Sequence, residues 1–149
     1  PYIVVCAYLA IKNLDDRQFK KAVLVLTTGM NIFLFISFVW PTGLNLREGI
    51  VYDLHTLSGN LLKFVQTVDT PKSVFPSMHV YVTLVLQYTL EMQKKLVPSW
   101  GIWVGRVLAV LIVLSTMFTK QHSVLDVSAA IVMFAVLVVM VEKIVKNKE

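Results

Sequence analysis

Three side chains in this sequence have the types and spacing that acid–base and nucleophilic chemistry needs: His79, His122 and Asp126. His79 ends the tetrapeptide Pro76-Ser77-Met78-His79, just ahead of the apolar run 80–86, and His122 closes the mostly apolar run 111–122. An imidazole gives or takes a proton near neutral pH, and in its neutral form it can also act as a nucleophile or a metal ligand. Asp126 follows His122 by four residues, so on a helix beginning near Gln121 the two side chains would share one face. A carboxylate there accepts the ring N–H, fixes the tautomer and raises the basicity of the other nitrogen. Ser77 suits a helix N-cap after the break at Pro76. The exposed N–H groups of such a helix start favour an anion such as phosphate, and His79 in the first turn can protonate a leaving oxygen. Each feature alone also has a plainer reading, as a polar pair at one helix start and a capped helix with an interfacial histidine at the other.

The elements that must position these residues are membrane helices. Hydrophobic residues make up 56% of the 149 and charged residues 15%, against about 45–50% and about 25% in soluble domains. The net charge of +5 comes from lysines and arginines bordering apolar runs, which argues against a nucleic-acid stripe and for a membrane flank. The single Cys6 cannot form an internal disulfide, so it leaves the redox compartment unread. A spanning helix needs about 20 mostly apolar residues. Residues 22–40, 100–119 and 123–142 fit, with Arg106 in the second able to snorkel to the near interface. Residues 77–92 are more polar, as suits a helix facing a bundle interior, and are counted as a fourth span. Residues 1–11 read as the end of a further span, and the start at Pro1 without Met as a truncation. The expected fold is therefore all-α: one multi-pass transmembrane bundle over 1–149, with four full spans and a partial one.

Alternating these segments across a bilayer assigns sides. Lys12, Arg17, Lys20, Lys21, Lys94, Lys95, Lys143, Lys146 and Lys148 share one side, and Arg47, Lys63, Lys72 and Lys120 the other. Excess Lys and Arg mark the cytoplasmic face. Both histidines then fall together on the extracytoplasmic or luminal side, if 77–92 crosses fully. The connection 41–76 is long for a structureless loop. Its residues 57, 61, 62, 65 and 68 are apolar at amphipathic spacing, as in a helix lying on the membrane surface, where it could serve as a lid, a lipid entrance or a passive surface element.

Taken in order, these motifs resemble those of the type 2 phosphatidic acid phosphatase superfamily. Pro76-Ser77-Met78-His79 is similar to the family's Pro-Ser-Gly-His, with Met for Gly. Ser115-Thr116-x5-His122-x3-Asp126 is similar to its Ser-Arg-x5-His-x3-Asp, with Thr for Arg. The segments 69–75 and 118–121 look like those of a divergent branch near the inositol phosphorylceramide synthases. The resemblance covers roughly residues 40–145. It implies a six-span bundle and a two-step phosphoryl transfer on a lipid phosphate ester, with no cofactor and no metal. His122 would be the nucleophile that forms a phosphohistidine, Asp126 its orienter, and His79 the acid and then the base. Ser77 would hold phosphate oxygens, joined by Arg47 and Lys120.

The family's first motif, Lys-x6-Arg-Pro, is not intact: Trp40 stands seven residues before Arg47, and Glu48 follows it. With Thr116 also uncharged, Lys120, Lys72 or Lys63 are the candidates to compensate. A site with altered cations is expected either to hydrolyse a lipid phosphate or, as in the synthase-like transferases, to pass a phospho-headgroup to a lipid alcohol. Two rival classes are a site where both histidines and the aspartate bind iron or zinc and a membrane module with no catalytic role. His55 fits no motif and reads as loop structure. Trp40, Trp100 and Trp103 read as interfacial anchors.

Overall fold

Prolines and small polar side chains set several of the helix ends. The computed structural model describes residues 2–41, 53, 55–68 and 75–146. These form α1 (Tyr2–Asn13), α2 (Asp16–Val39), α3 (Leu57–Val68), α4 (Met78–Met92), α5 (Ser99–Phe118) and α6 (Val124–Lys146), with no strand among the described residues. Asp15 caps α2, its Oδ1 accepting the Gln18 N–H at 2.7 Å; α2 ends at Val39, just before Pro41. Pro98 occupies the N-cap of α5, where its missing N–H removes no helical hydrogen bond.

Three helices, α2, α5 and α6, are long and apolar enough to cross a membrane, at 24, 20 and 23 residues with mean hydropathies of 2.2, 2.0 and 2.7. The fourth expected span is not one by length. α4 has 15 residues, about 22 Å at ~1.5 Å per residue, against a hydrocarbon core of about 30 Å. Its surroundings explain the difference. α1, α2, α5 and α6 all pack against α4, so its environment is protein, and Val80, Tyr81, Thr83, Val85, Thr89 and Leu90 are buried. A helix enclosed in this way does not need a continuous lipid-matched surface.

The core joins α4 to α2 and α6 through Val25, Val80, Tyr81, Val85, Val127, Ala130, Leu137 and Val141. Tyr81 is its centre. The side chain is fully buried, its hydroxyl donates to the Val25 carbonyl, and its ring meets Phe134 edge-on at 6.3 Å. Gly29 provides the room, because a Cβ built there would collide with the Tyr81 ring. Where lipid replaces water the hydrophobic effect no longer drives helices together, and such close approaches over small residues carry the packing.

Polar pairs fix the opposite end of α4. Tyr88 donates to Glu142 Oε1 at 2.7 Å, and the other oxygen of Glu142 pairs with Lys21. Glu91 accepts from Arg106 Nε at 2.7 Å and Nη2 at 3.1 Å. Arg106 is thus held by a carboxylate on α4, a partner that the snorkelling expectation did not supply. These contacts put the starts of α2 and α5 and the ends of α4 and α6 at one end of the bundle, together with Lys20, Lys21, Lys94 and Lys143.

Candidate functional site

At the other end, three chain segments are stitched together by backbone hydrogen bonds. Ser77, with 0% exposure, precedes α4, and its Oγ accepts the Val80 N–H at 3.4 Å. Its own N–H donates to the carbonyl of Asp126 at 3.1 Å. The entry to α4 is therefore tied directly to the first turn of α6.

The turn between α5 and α6 is equally constrained. The Gln121 and His122 N–H groups both donate to the Thr116 carbonyl, at 3.0 and 3.2 Å, and the Lys120 N–H donates to Met117 O at 3.0 Å. This is a Schellman closure of α5, in which the residue after the cap takes a left-handed conformation. Here that residue is Lys120, with φ 53°. A glycine normally stands there, because a Cβ costs about 1–2 kcal/mol in this region. Strain of this kind is retained where a side chain matters, and Lys120 is two residues from His122. Replacement by glycine is therefore expected to leave thermal stability unchanged or raised. Melting curves on Lys120→Gly check this, and a clear loss of stability would mean that the Lys120 side chain itself holds the turn.

α3 meets the same turn. Gln66, only 8% exposed, donates from Nε2 to the Thr119 carbonyl at 2.7 Å. Sequence reading missed this residue, since one glutamine in an amphipathic segment carries no signal of its partner. The stripe Leu57, Leu61, Phe64 and Val68 of α3 is exposed on the other side of the helix.

The result is that His79 and His122 meet. Nδ1 of His79 lies 3.3 Å from Nε2 of His122, and the ring centroids are 5.5 Å apart at 57°. His122 is buried and His79 is exposed. At this distance one nitrogen donates and the other accepts, so the pair holds one proton between the two facing nitrogens when both rings are neutral.

Asp126 sits elsewhere than the helical spacing predicts. α6 begins at Val124, so His122 precedes the helix and the i, i+4 relation does not apply. The helix starts later because Ser123 and Asp126 form a capping box. Asp126 Oδ2 accepts the Ser123 N–H at 2.7 Å, and Ser123 Oγ accepts the Asp126 N–H at 3.3 Å. Serine with a carboxylate three residues on is a strong start signal, and Ser123-x-x-Asp126 was readable as one. The described hydrogen bond of the carboxylate goes to the backbone beside His122, so Asp126 positions the turn that carries the ring.

Thr116, which stands where the motif resembled by 115–126 has an arginine, is buried, and its hydroxyl donates to Val113 O at 2.8 Å. It supplies a carbonyl to the His122 turn and no charge to the site. Arg47, Lys72 and half of the 41–76 connection lie outside the described residues. The His55 N–H donates to Asp53 Oδ1 at 3.1 Å in the turn before α3, as its loop reading expects. Trp40, Trp100 and Trp103 are largely exposed at or near the ends of their helices. No group of three or more His, Cys, Asp or Glu side chains suited to a metal occurs among the described residues.

Comparison with protein-family models, curated proteins and solved structures finds no match. The functional reading therefore rests on the motifs and on the geometry of the site.

Proposed function

We propose that this protein is a membrane-bound phosphoryl-transfer enzyme that cleaves a lipid phosphate ester through a phosphohistidine on His122. The observation that carries the reading is the 3.3 Å approach of His79 Nδ1 to His122 Nε2, beside the buried Ser77 that opens α4. With His79 as the imidazolium and His122 Nε2 unprotonated, this pair has an acid and a nucleophile facing each other. A distance of 3.3 Å leaves no room for a phosphoryl group, so substrate must enter by parting the rings. The exposed His79 is the ring that can yield, and the buried His122 stays in place.

In the first step the His122 Nε2 lone pair attacks phosphorus, the P–O bond to the lipid breaks, and His79 gives its proton to the departing oxygen. In the second step His79 takes a proton from water or an acceptor alcohol. The resulting oxygen nucleophile attacks phosphorus, the N–P bond breaks, and His122 is restored. Ser77, Lys120 and Arg47 are assigned to the phosphate oxygens, and Asp126 holds the His122 turn. The likeness of 76–79 and 115–126 to the type 2 phosphatidic acid phosphatases supports the same scheme. An extracytoplasmic or luminal site is supported by the lysine-rich helix ends at the other end of the bundle. The uncharged Thr116 keeps open transfer to a lipid alcohol instead of water.

The test is phosphate release from phosphatidic acid and from an isoprenyl diphosphate by protein in lipid nanodiscs. A parallel arm adds ceramide or diacylglycerol to a phosphoinositide donor and looks for the new phospholipid. Release alone identifies a phosphatase and acceptor-dependent product a transferase. Neither product from any of these substrates overturns the proposal.

A further inference from the structure

Away from the histidines, the cleft between the end of α4 and the first half of α5 gathers cations without using them on the proposed chemistry. It encloses about 200 Å³ and is lined by Lys94, Ser99, Ile102, Trp103 and Arg106. We propose that this cleft binds the phosphate headgroup of an anionic phospholipid, in the leaflet at the lysine-rich end of the bundle.

Charge is the first argument. Glu91 pairs with Lys94 at 2.8 Å and with Arg106 through two hydrogen bonds. One carboxylate thus orders two cations and leaves the cluster with a net single positive charge, which matches the single negative charge of a phosphodiester. Arg106 has five N–H donors, and the two bonds to Glu91 leave others for phosphate oxygens. The Arg106 guanidinium also lies over the Trp103 ring, 4.9 Å from its centroid, which fixes it at the mouth of the cleft. A zwitterionic headgroup would bring its own ammonium against Lys94 and Arg106, so an anionic lipid is favoured.

The second argument is the surface beside the cleft. Trp103, Val107, Val110 and Leu114 are exposed, and at i, i+4, i+7 and i+11 they form one stripe along α5. The stripe starts at the cleft and runs toward the histidine end, inside a helix of membrane-spanning length. It offers a track for the acyl chain of the lipid whose phosphate sits between Lys94 and Arg106. Basic clefts between helices at a membrane surface recognise anionic headgroups in this way.

Trp103 makes the test direct. In the full chain, Trp40→Phe and Trp100→Phe leave Trp103 as the sole tryptophan, and the protein is placed in phosphatidylcholine bilayers. Dibrominated phosphatidylglycerol or dibrominated phosphatidylcholine is then titrated in while Trp103 fluorescence is followed. The expected result is half-maximal quenching at a mole fraction of the anionic lipid about fivefold lower. Lys94→Gln should remove that preference, and Lys20→Gln, a cation at the same end but outside the cleft, should leave it intact. Lys94 is chosen because losing Arg106 strips Glu91 of its bidentate partner and endangers the fold. Equal quenching by both lipids, persistence of the preference in Lys94→Gln, or its equal loss in Lys20→Gln would each overturn the site.

Discussion

Replacing His122 by alanine is expected to lower phosphate release by at least about a thousandfold, because it removes the atom proposed to bond to phosphorus. His79→Ala should cost between about 10²- and 10⁴-fold, the range for a positioned general acid. The leaving group separates the two roles. An aryl phosphate departs without being protonated, so it should recover much of the lost rate of its first step in His79→Ala and none in His122→Ala. Both residues lie at the end of the bundle, outside the core around Tyr81, so melting temperatures should stay close to that of the unsubstituted protein. Phosphate assays with lipid and aryl substrates, alongside melting curves, check each point. Undiminished release by His122→Ala would remove the nucleophile, and with it the phosphohistidine.

The largest effect on stability is expected at Gly29. Any Cβ there meets the buried Tyr81 ring, which cannot swing away without breaking its hydrogen bond to Val25 and its edge contact with Phe134. Gly29→Val must therefore part α2 from α4. A loss on the order of 3 kcal/mol is expected, combining overpacking with a displaced tyrosine hydroxyl. Tyr81→Phe, which removes only the hydroxyl, should cost about 1 kcal/mol. The double variant Gly29→Val with Tyr81→Ala should be more stable than the sum of the two single losses, since each change relieves the other. Thermal unfolding in one detergent measures all of these, and strict additivity would mean that the helices do not meet at this pair.

Gly29 also shows where sequence reading stops. A glycine within an apolar run says that a close approach is possible, but only the packed structure identifies the ring of Tyr81, 52 positions further along, as what approaches. The three long apolar runs were legible as spans because hydropathy over 20 residues is a local property, and α2, α5 and α6 bear it out. The amphipathic spacing in the 41–76 connection was legible for the same reason, and α3 occupies it from Leu57 to Val68. α4, at 15 residues, is shorter than the full span expected of 77–92, whereas the bundle-interior setting suggested by its polarity agrees with the four helices packed around it.

At the site, the sequence by itself determined which residue types were available: two histidines, a serine ahead of a helix, and a carboxylate four residues beyond one histidine. Tertiary structure decided their relations. It brought His79 within 3.3 Å of His122 and gave the Asp126 carboxylate to Ser123. It also anchored the His122 turn through the Thr116 carbonyl and Gln66. The physical reason is that residue chemistry and helical periodicity are encoded within a few neighbours. A hydrogen bond between segments depends instead on where each helix ends, and that is settled by competing caps and by what packs against them.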